Sequence, residues 1–260
     1  MKKEVSDFSV QKIEHYQDND FMLYVNPINK KLNQGKPGQF VNILVEGSPT
    51  TMLRRPISIC DVNAETNTLL LYIKQVGDGT RQLAQLKKGD NINIVYPLGN
   101  GFTTDNVKNP LLVGGGTGIA PMIYLSKELN KKGIKPHVLL GARTSQALSL
   151  KNMFSSIAYL HITTDDGSEG TKGVVINHPI FKEITTFDYI YTCGPNAMMQ
   201  AVASIAQKNN IPCEVSLENT MACGIGVCLC CVTSTTTGNR CVCTEGPVFL
   251  STELTNFLIN

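Results

Sequence analysis

The sequence predicts a chain of three parts: an N-terminal antiparallel Greek-key β-barrel, a central α/β domain with a parallel sheet, and a small C-terminal metal or redox module. Short strand-like runs fill the first hundred residues, and strands then alternate with helical stretches. Six of the nine cysteines fall between residues 223 and 243. We place the three domains at residues 1–101, 102–212 and 213–260.

The composition supports a folded, multidomain chain. At roughly 150 residues per domain, 260 residues correspond to two domains and a small appendage. Hydrophobic residues make up 42% and the net charge is +2, so the chain can bury a core and has no overall charge that would favour nucleic acid or an acidic membrane. We find no stretch of about 18 apolar residues and no secretory signal, so we expect a cytoplasmic protein with reduced thiols and neither a nucleic-acid nor a membrane partner.

The barrel region is predicted from short runs of branched and aromatic residues. Residues 40–45, 69–73 and 92–96 have this composition, and clusters of glycine, proline, asparagine and lysine separate them. One helical turn is predicted at residues 81–87. Several short strands at this spacing indicate an antiparallel barrel or sandwich.

The central region is predicted from strand–helix alternation. Strands are expected at residues 111–113, 137–141, 159–163 and 189–192, and helices at residues 120–131 and 197–208. The glycine-rich turn at residues 114–118 lies between a strand and a helix, where a diphosphate can approach the backbone and the helix N-terminus. The second strand is followed by Arg143 rather than by an acid. Arg143 either accommodates a phosphorylated ribose or lies on the surface, so NADH and NADPH both remain open.

The cysteine cluster is the most specific motif. Cys223, Cys228 and Cys231 form a C-x4-C-x2-C pattern, and Cys241 or Cys243 follows. This is the plant-type ferredoxin spacing for a [2Fe–2S] cluster, in which one loop must bring three thiolates to two irons. A structural zinc site or buried free thiols are the alternatives, although zinc sites more often use two C-x2–4-C pairs. Cys230 lies between ligands and is expected to point away.

A short arginine-containing segment in the barrel region is the third motif. Arg55 is followed by Pro56, Ile57 and Ser58 in what we expect to be the end of a strand. An arginine fork pairs well with a diphosphate, and a hydroxyl beside a backbone fixed by proline suits a flavin. A solvated surface arginine is the alternative that these residues alone leave open.

The motifs occur in one order along essentially the whole chain. Residues 55–58, 77–80, 114–121 and 191–195 resemble the ferredoxin–NADP reductase superfamily. Residues 216–218, 221–228 and 243–249 are similar to the electron-transfer subunits of type B dihydroorotate dehydrogenases. This resemblance implies that the barrel binds FAD, the α/β domain binds NAD, and the C-terminal module binds a [2Fe–2S] cluster.

The resemblance also implies which residues hold each cofactor. The FAD site comprises Arg55, Pro56, Ile57, Ser58, Tyr72, Ile73, Lys74, Gly79 and Thr80. The NAD site comprises Gly114, Gly115, Gly116, Thr117, Gly118, Cys193, Gly194 and Pro195. The cluster ligands are Cys223, Cys228, Cys231 and Cys243, with Cys241 in place of Cys243 if the register slips. Cys193 is expected near the nicotinamide, or else is an ordinary buried cysteine at a strand end.

The function implied by the resemblance is an electron relay in de novo pyrimidine biosynthesis. Electrons from dihydroorotate reach FMN in a separate catalytic subunit, then cross the [2Fe–2S] cluster and FAD to NAD+. A heterotetramer with two copies of each subunit is implied, and no acid/base pair is needed. Two alternatives stay open: a subunit of another NAD(P)H-linked complex, such as a ferredoxin-dependent transhydrogenase or sulfhydrogenase, and a non-catalytic regulator with a zinc knuckle.

Overall fold

The N-terminal part of the chain is a closed antiparallel barrel. The computed structural model describes residues 3–255, 257 and 258. The barrel strands are β1 (Glu4–His15), β2 (Asp20–Pro27), β3 (Phe40–Ile43), β4 (Arg55–Asn63), β5 (Thr68–Lys74) and β6 (Asn91–Leu98). Their order around the barrel is β1-β2-β5-β4-β3-β6, which is a Greek-key connection. The predicted barrel is therefore confirmed.

Alternating side chains fill the barrel. Phe8, Phe21, Leu23, Ile43 and Leu71 are fully buried in one apolar cluster inside it. Because successive strand residues point to opposite faces, this alternation leaves the other face of each strand for solvent or for the rest of the molecule. The outward face of β3 becomes important below.

Two local predictions in the barrel are wrong. The helical turn expected at residues 81–87 is α1 (Asp78–Leu83). It begins earlier because the Thr80 hydroxyl accepts hydrogen bonds from the backbone N–H groups of Val76 and Gly77, at 2.9 and 3.2 Å. Arg55 begins β4 rather than ending a strand, since pairing with β5 continues as far as Asn63.

The central part is a seven-stranded sheet. Its strands are β7 (Pro110–Gly115), β8 (His137–Ala142), β9 (Tyr159–Thr164), β10 (Thr171–Lys172), β11 (Tyr189–Cys193), β12 (Cys213–Ser216) and, further along the chain, β15 (Val248–Leu250). The sheet order is β10-β9-β8-β7-β11-β12-β15, and only β15 is antiparallel to its neighbour. The helices α2 (Ile119–Lys131) and α3 (Asn196–Lys208) follow β7 and β11. The predicted parallel α/β domain is confirmed.

The C-terminal part is joined to this sheet. Strands β12 and β15 come from residues 213–260, which we assigned to the cluster module, so the sheet continues past residue 212. All four residues of β12 are buried, as expected where both faces of a parallel sheet are covered. The rest of the C-terminal part contains β13 (Val232–Thr235), β14 (Gly238–Cys241) and α4 (Val242–Glu245).

The three parts share one apolar contact. Phe40 and Leu98 on the barrel pack in the same buried cluster as Met221, Cys231 and Cys243 of the C-terminal part. This packing fixes residues 223–231, called the cysteine loop below, against the barrel. Among the described residues, no helix is long and apolar enough to cross a membrane.

Candidate cofactor sites

A cleft of about 410 Å³ lies where the three parts meet. Eight of the predicted FAD residues line it: Arg55, Pro56, Ile57, Ser58, Tyr72, Ile73, Lys74 and Thr80. Thr117 of the glycine-rich turn and the segment 216–221 before the cysteine loop complete its wall. The structure therefore brings most of the predicted flavin residues to one cleft, which the glycine-rich turn and the segment before the cysteine motif also border.

The two neighbouring arginines have different roles. Arg54 donates from Nη2 to Asn93 Oδ1 at 2.6 Å and from Nη1 to the Asn93 carbonyl oxygen at 3.1 Å, which fixes it to the barrel. Arg55 lines the cleft instead. A Cβ atom on Gly79 would lie 2.9 Å from Arg55 Nε, so the predicted site residue Gly79 acts by leaving room for the Arg55 side chain.

Tyr72 is held in a fixed position in the cleft wall. Its hydroxyl donates to the Asp20 carboxylate at 2.5 Å, and Asp20 lies 3.8 Å from Lys74 Nζ. Burial, followed by the hydrogen bond and charge of Asp20, raises the pKa of Tyr72. The side chain is therefore a neutral ring that offers an apolar surface to a bound planar group.

The glycines of the turn after β7 divide into two kinds. A Cβ on Gly118 would lie 2.2 Å from the Cys193 carbonyl oxygen, and one on Gly115 would lie 2.6 Å from Met198 Sδ. These two glycines allow the turn to pack closely against the loop that follows β11. Gly116 has a φ of +57° and its Cβ direction is open, so it is the glycine that leaves backbone accessible to a ligand.

The loop after β11 contacts the glycine-rich turn through its backbone. Gly194 has a φ of +144°, and a Cβ there would lie 2.6 Å from the Gly115 carbonyl oxygen. The Cys193 thiol is buried, which raises its pKa, and Cys193 pairs in register with Ser216 of the cleft wall. Its proximity to a nicotinamide stays a prediction. Arg143 is exposed after the end of β8.

The four predicted cluster cysteines form two pairs. Cys228 lies close enough to Cys223 to lower the pKa of its thiol, and Cys231 lies close enough to Cys243 to raise the pKa of that thiol. The backbone N–H of Cys243 also donates to Cys231 Sγ at 3.4 Å. Two cysteine pairs fit a cluster of two irons, each with two protein thiolates. Within residues 3–255, 257 and 258, no three His, Cys, Asp or Glu side chains are grouped closely enough to bind one metal ion.

Backbone N–H groups surround the thiol of Cys223. Ile225 N donates to Cys223 Sγ at 3.4 Å, and the N–H groups of Cys228 and Val227 also point at it. Burial acts to raise the pKa of Cys223, but these donors outweigh it and lower the pKa to about 6. The loop can adopt this wrap because Gly224 and Gly226 have φ values of +71° and +87°. The donor set and the loop therefore fit a thiolate-bound iron–sulfur cluster.

The two surplus cysteines differ from the paired ones. Cys241 ends β14 in the shared apolar cluster, and its backbone N–H donates to Glu245 Oε2 at 2.8 Å. Cys230 is exposed, and its thiol donates to the Thr220 carbonyl oxygen at 3.7 Å. The direct pairing of Cys243 with Cys231 supports Cys243 rather than Cys241 as the fourth ligand.

Residues 216–221 are cleft residues that we did not predict as a site. Ser216 ends β12, and Leu217, Glu218 and Met221 follow it along the cleft wall. The Glu218 side chain is exposed and borders the cleft. Ligands bind beyond the carboxyl ends of parallel strands. Recognising β12 as a strand of this sheet would therefore have indicated residues 216–221 as part of a binding site.

Three histidines meet elsewhere, at β8 and β9. His137 Nδ1 and His161 Nε2 are 3.0 Å apart, and the rings of His161 and His178 are 5.2 Å apart. Burial lowers the pKa of each, to about 4 for His161. Their sequence spacing did not indicate this contact.

Two family models match the chain. Residues 218–255 match the iron–sulfur cluster binding domain of dihydroorotate dehydrogenase B, and residues 112–204 match the oxidoreductase NAD-binding domain. The electron transfer subunit of dihydroorotate dehydrogenase B (NAD(+)) from Bacillus caldolyticus is 39% identical over 84% of this chain and 86% of the relative. The one from Clostridium acetobutylicum is 41% identical over the same shares. This chain belongs to the family of dihydroorotate dehydrogenase B electron-transfer subunits.

Solved structures agree with the family. A structure described as that of an NADH-dependent reduced ferredoxin-NADP oxidoreductase, in a study of flavin-based electron bifurcation, has a TM-score of 0.84 and 31% identity over 95% of this chain and 89% of that one. Phthalate dioxygenase reductase, with a TM-score of 0.68 and 15% identity over 95% of this chain and 97% of that one, shares the fold. The predicted cofactors FAD, [2Fe–2S] and NAD are confirmed by the two family models together with the 31%-identical flavin-based oxidoreductase.

Proposed function

We propose that this chain passes electrons from a separate, FMN-containing dihydroorotate dehydrogenase subunit to NAD+, in de novo pyrimidine biosynthesis. Dihydroorotate would lose two electrons and two protons, and NAD+ would accept two electrons and one proton while the other proton is released. One observation carries the proposal. Thr220 and Met221 line the cleft that contains Arg55 and Tyr72, called the flavin cleft below, and Cys223 begins the cysteine loop two residues later. This supports a flavin site and a cluster site that lie side by side on one short segment.

The residues of the chain position the cofactors. When bound, FAD exchanges electron pairs with a nicotinamide and single electrons with a [2Fe–2S] cluster. Arg55, in the space left by Gly79, would pair with the FAD diphosphate, and Tyr72 and Pro56 would flank the flavin cleft. Gly116 and Thr117 would meet the nicotinamide nucleotide at the opposite wall. Cys223, Cys228, Cys231 and Cys243 would hold the cluster.

The cysteine loop is the surface where we place the catalytic partner. Ile225, Val227 and Leu229 are large apolar residues with 48%, 73% and 64% of their surface exposed, and they alternate with the cysteines of this loop. Exposed apolar patches of this kind mark interaction sites. Electrons must cross the surface of the chain next to the cluster. An FMN-containing subunit docked here would therefore have the shortest electron-transfer path between its FMN and the cluster. We propose two copies of each subunit in the complex.

The location proposed for this chain is the cytoplasm. All nine cysteines are free thiols, including Cys60, Cys193 and Cys213, which are buried away from the cysteine loop. Free thiols and thiolate-bound iron are typical of reducing compartments.

A second function is favoured by one comparison. The ferredoxin-NADP oxidoreductase structure has a TM-score of 0.84 and 31% identity over 95% of this chain. A flavin and iron–sulfur subunit of another NAD(P)H-linked complex is therefore the alternative. In that case ferredoxin, rather than a dihydroorotate-oxidising subunit, would exchange electrons at the cysteine loop.

The deciding experiment combines the cofactor-loaded chain, under anaerobic conditions, with a purified FMN-containing dihydroorotate dehydrogenase subunit. We expect dihydroorotate-dependent NAD+ reduction only when both chains are present. Cys228→Ser should abolish it while NADH still reduces the bound FAD, and Cys230→Ser, in the same loop, should leave it unchanged. No NAD+ reduction with an intact cluster, together with NAD(P)H-dependent reduction of ferredoxin, would select the alternative.

A further inference from the structure

Asn42 is a buried polar residue on the outward face of the barrel. It lies in β3 between Val41 and Ile43, which point into the barrel core. Asn42 is fully buried, yet neither Nδ2 nor Oδ1 has a hydrogen-bond partner within the described part of the chain. A buried carboxamide without partners costs about 1–3 kcal/mol per unsatisfied group, so this side chain requires an explanation.

The carboxamide of Asn42 faces the cysteine loop. Its Nδ2 atom occupies the space next to Gly224, because a Cβ on Gly224 would lie only 2.7 Å from it. Gly224 directly follows Cys223 and has a φ of +71°. The next nearest atom to that position is Leu98 Cδ1, at 3.4 Å. An amide donor therefore points from the barrel at the first turn of the loop.

Asn42 also lies beside the flavin cleft. Across the strands it is paired with Pro56, and its neighbour Phe40 lines the same cleft as Pro56. The residue thus stands in the layer between the flavin cleft and the cysteine loop. A donor in this layer is next to the thiolates and inorganic sulfides of a cluster, which accept hydrogen bonds from N–H groups.

We propose that the Asn42 carboxamide donates a hydrogen bond to a sulfur atom on the Cys223 side of the [2Fe–2S] cluster and thereby raises its reduction potential. Hydrogen bonds to cluster sulfurs stabilise the more negative, reduced form, and they are a principal determinant of the potential. Asn42 therefore sets how readily the cluster holds the electron that it exchanges with FAD. This inference rests on the cluster ligands proposed above.

The test is a redox titration of the cluster, followed by EPR, in the cofactor-loaded chain. Asn42→Leu keeps a similar volume and removes the donor. Asn26→Leu is the control, because Asn26 lies on β2 and its Nδ2 donates to the Thr66 carbonyl oxygen, away from the cysteines. With full iron and sulfide content, we expect the reduced-to-oxidised ratio of the Asn42→Leu cluster at a fixed poise to fall about tenfold, which is about 59 mV for a one-electron couple. The control should not change it.

An unchanged potential in Asn42→Leu with an intact cluster would overturn the proposal. If the variant does not assemble a cluster, the anaerobic crystal structure of the unmodified, cofactor-loaded chain decides. A sulfur atom within about 3.6 Å of Asn42 Nδ2 supports the hydrogen bond, and a nearest sulfur beyond about 4.5 Å excludes it, because weak donor–acceptor contacts do not extend that far. A wrong ligand assignment would look different, since Cys228→Ser would then keep its iron.

Discussion

Replacing Gly224 with alanine tests how tightly the cysteine loop is fitted to the barrel. The new methyl group would lie 2.7 Å from Asn42 Nδ2, and the backbone φ of +71° is left-handed. Two separate penalties therefore act on this one substitution. Gly133 offers a matched control, because its φ is +79° and no atom lies within 4 Å of its Cβ position.

The expected magnitude follows from these two contacts. An alanine held in the left-handed region costs roughly 1–2 kcal/mol, which Gly133→Ala should show alone. Asn42 is fully buried, so it cannot move aside, and overpacking at such a site adds about 1–3 kcal/mol. Gly224→Ala should therefore lower the free energy of unfolding by about 2–5 kcal/mol, and Gly133→Ala by about 1–2 kcal/mol.

The assay is anaerobic urea unfolding of the cofactor-loaded chain, followed by circular dichroism and by the visible absorption of the cluster. A shift of the midpoint at constant slope reports the change in stability. Asn42→Ala in the Gly224→Ala background removes the contacted amide, so the double-mutant cycle should return about 1–3 kcal/mol of coupling.

Equal destabilisation by Gly224→Ala and Gly133→Ala would refute this reasoning, since it would mean that the loop moves freely away from Asn42. A coupling energy near zero in the double-mutant cycle would have the same meaning. Either result would also weaken the inference that Asn42 points at the cluster.

Three other predictions concern the fourth ligand, the flavin and pH. Cys243→Ser should lose iron and labile sulfide while Cys241→Ser keeps both, and the reverse result in an iron assay would move the fourth ligand to Cys241. Arg55→Ala should lower the FAD content of the purified chain, measured by flavin absorption, whereas the exposed Arg81→Ala should not; equal flavin content would remove Arg55 from the FAD site. Burial and the neighbouring histidines lower the pKa of His161 to about 4 from an ordinary value near 6.5, so the unfolded chain binds more protons between these values. The free energy of unfolding should therefore fall as the pH drops from about 6.5 to about 4, and His161→Gln should reduce this pH dependence in urea titrations. An unchanged pH dependence in His161→Gln would show that the three histidines do not meet.

Much of the architecture is encoded locally. Alternating and continuous apolar runs predict the barrel strands and the parallel sheet because side-chain direction repeats with the backbone. The glycine-rich turn and the C-x4-C-x2-C motif predict a nucleotide site and a cluster, because each chemistry needs particular residues within a few positions. The α1 boundary was missed since it depends on the Thr80 hydroxyl closing a turn, which apolar patterning does not report.

Periodicity and motif spacing therefore predict the kinds of domain, their order and the chemistry that each motif can support. Three contacts depend on the tertiary structure alone: Gly118 packs against Cys193, Cys243 N donates to Cys231 Sγ, and residues 216–221 close the cleft that Arg55 lines. The position of Asn42 against Gly224 is of the same kind, because 182 positions separate the two residues along the chain. Such contacts arise when distant segments pack into one shared core, and no local pattern specifies which atoms then meet.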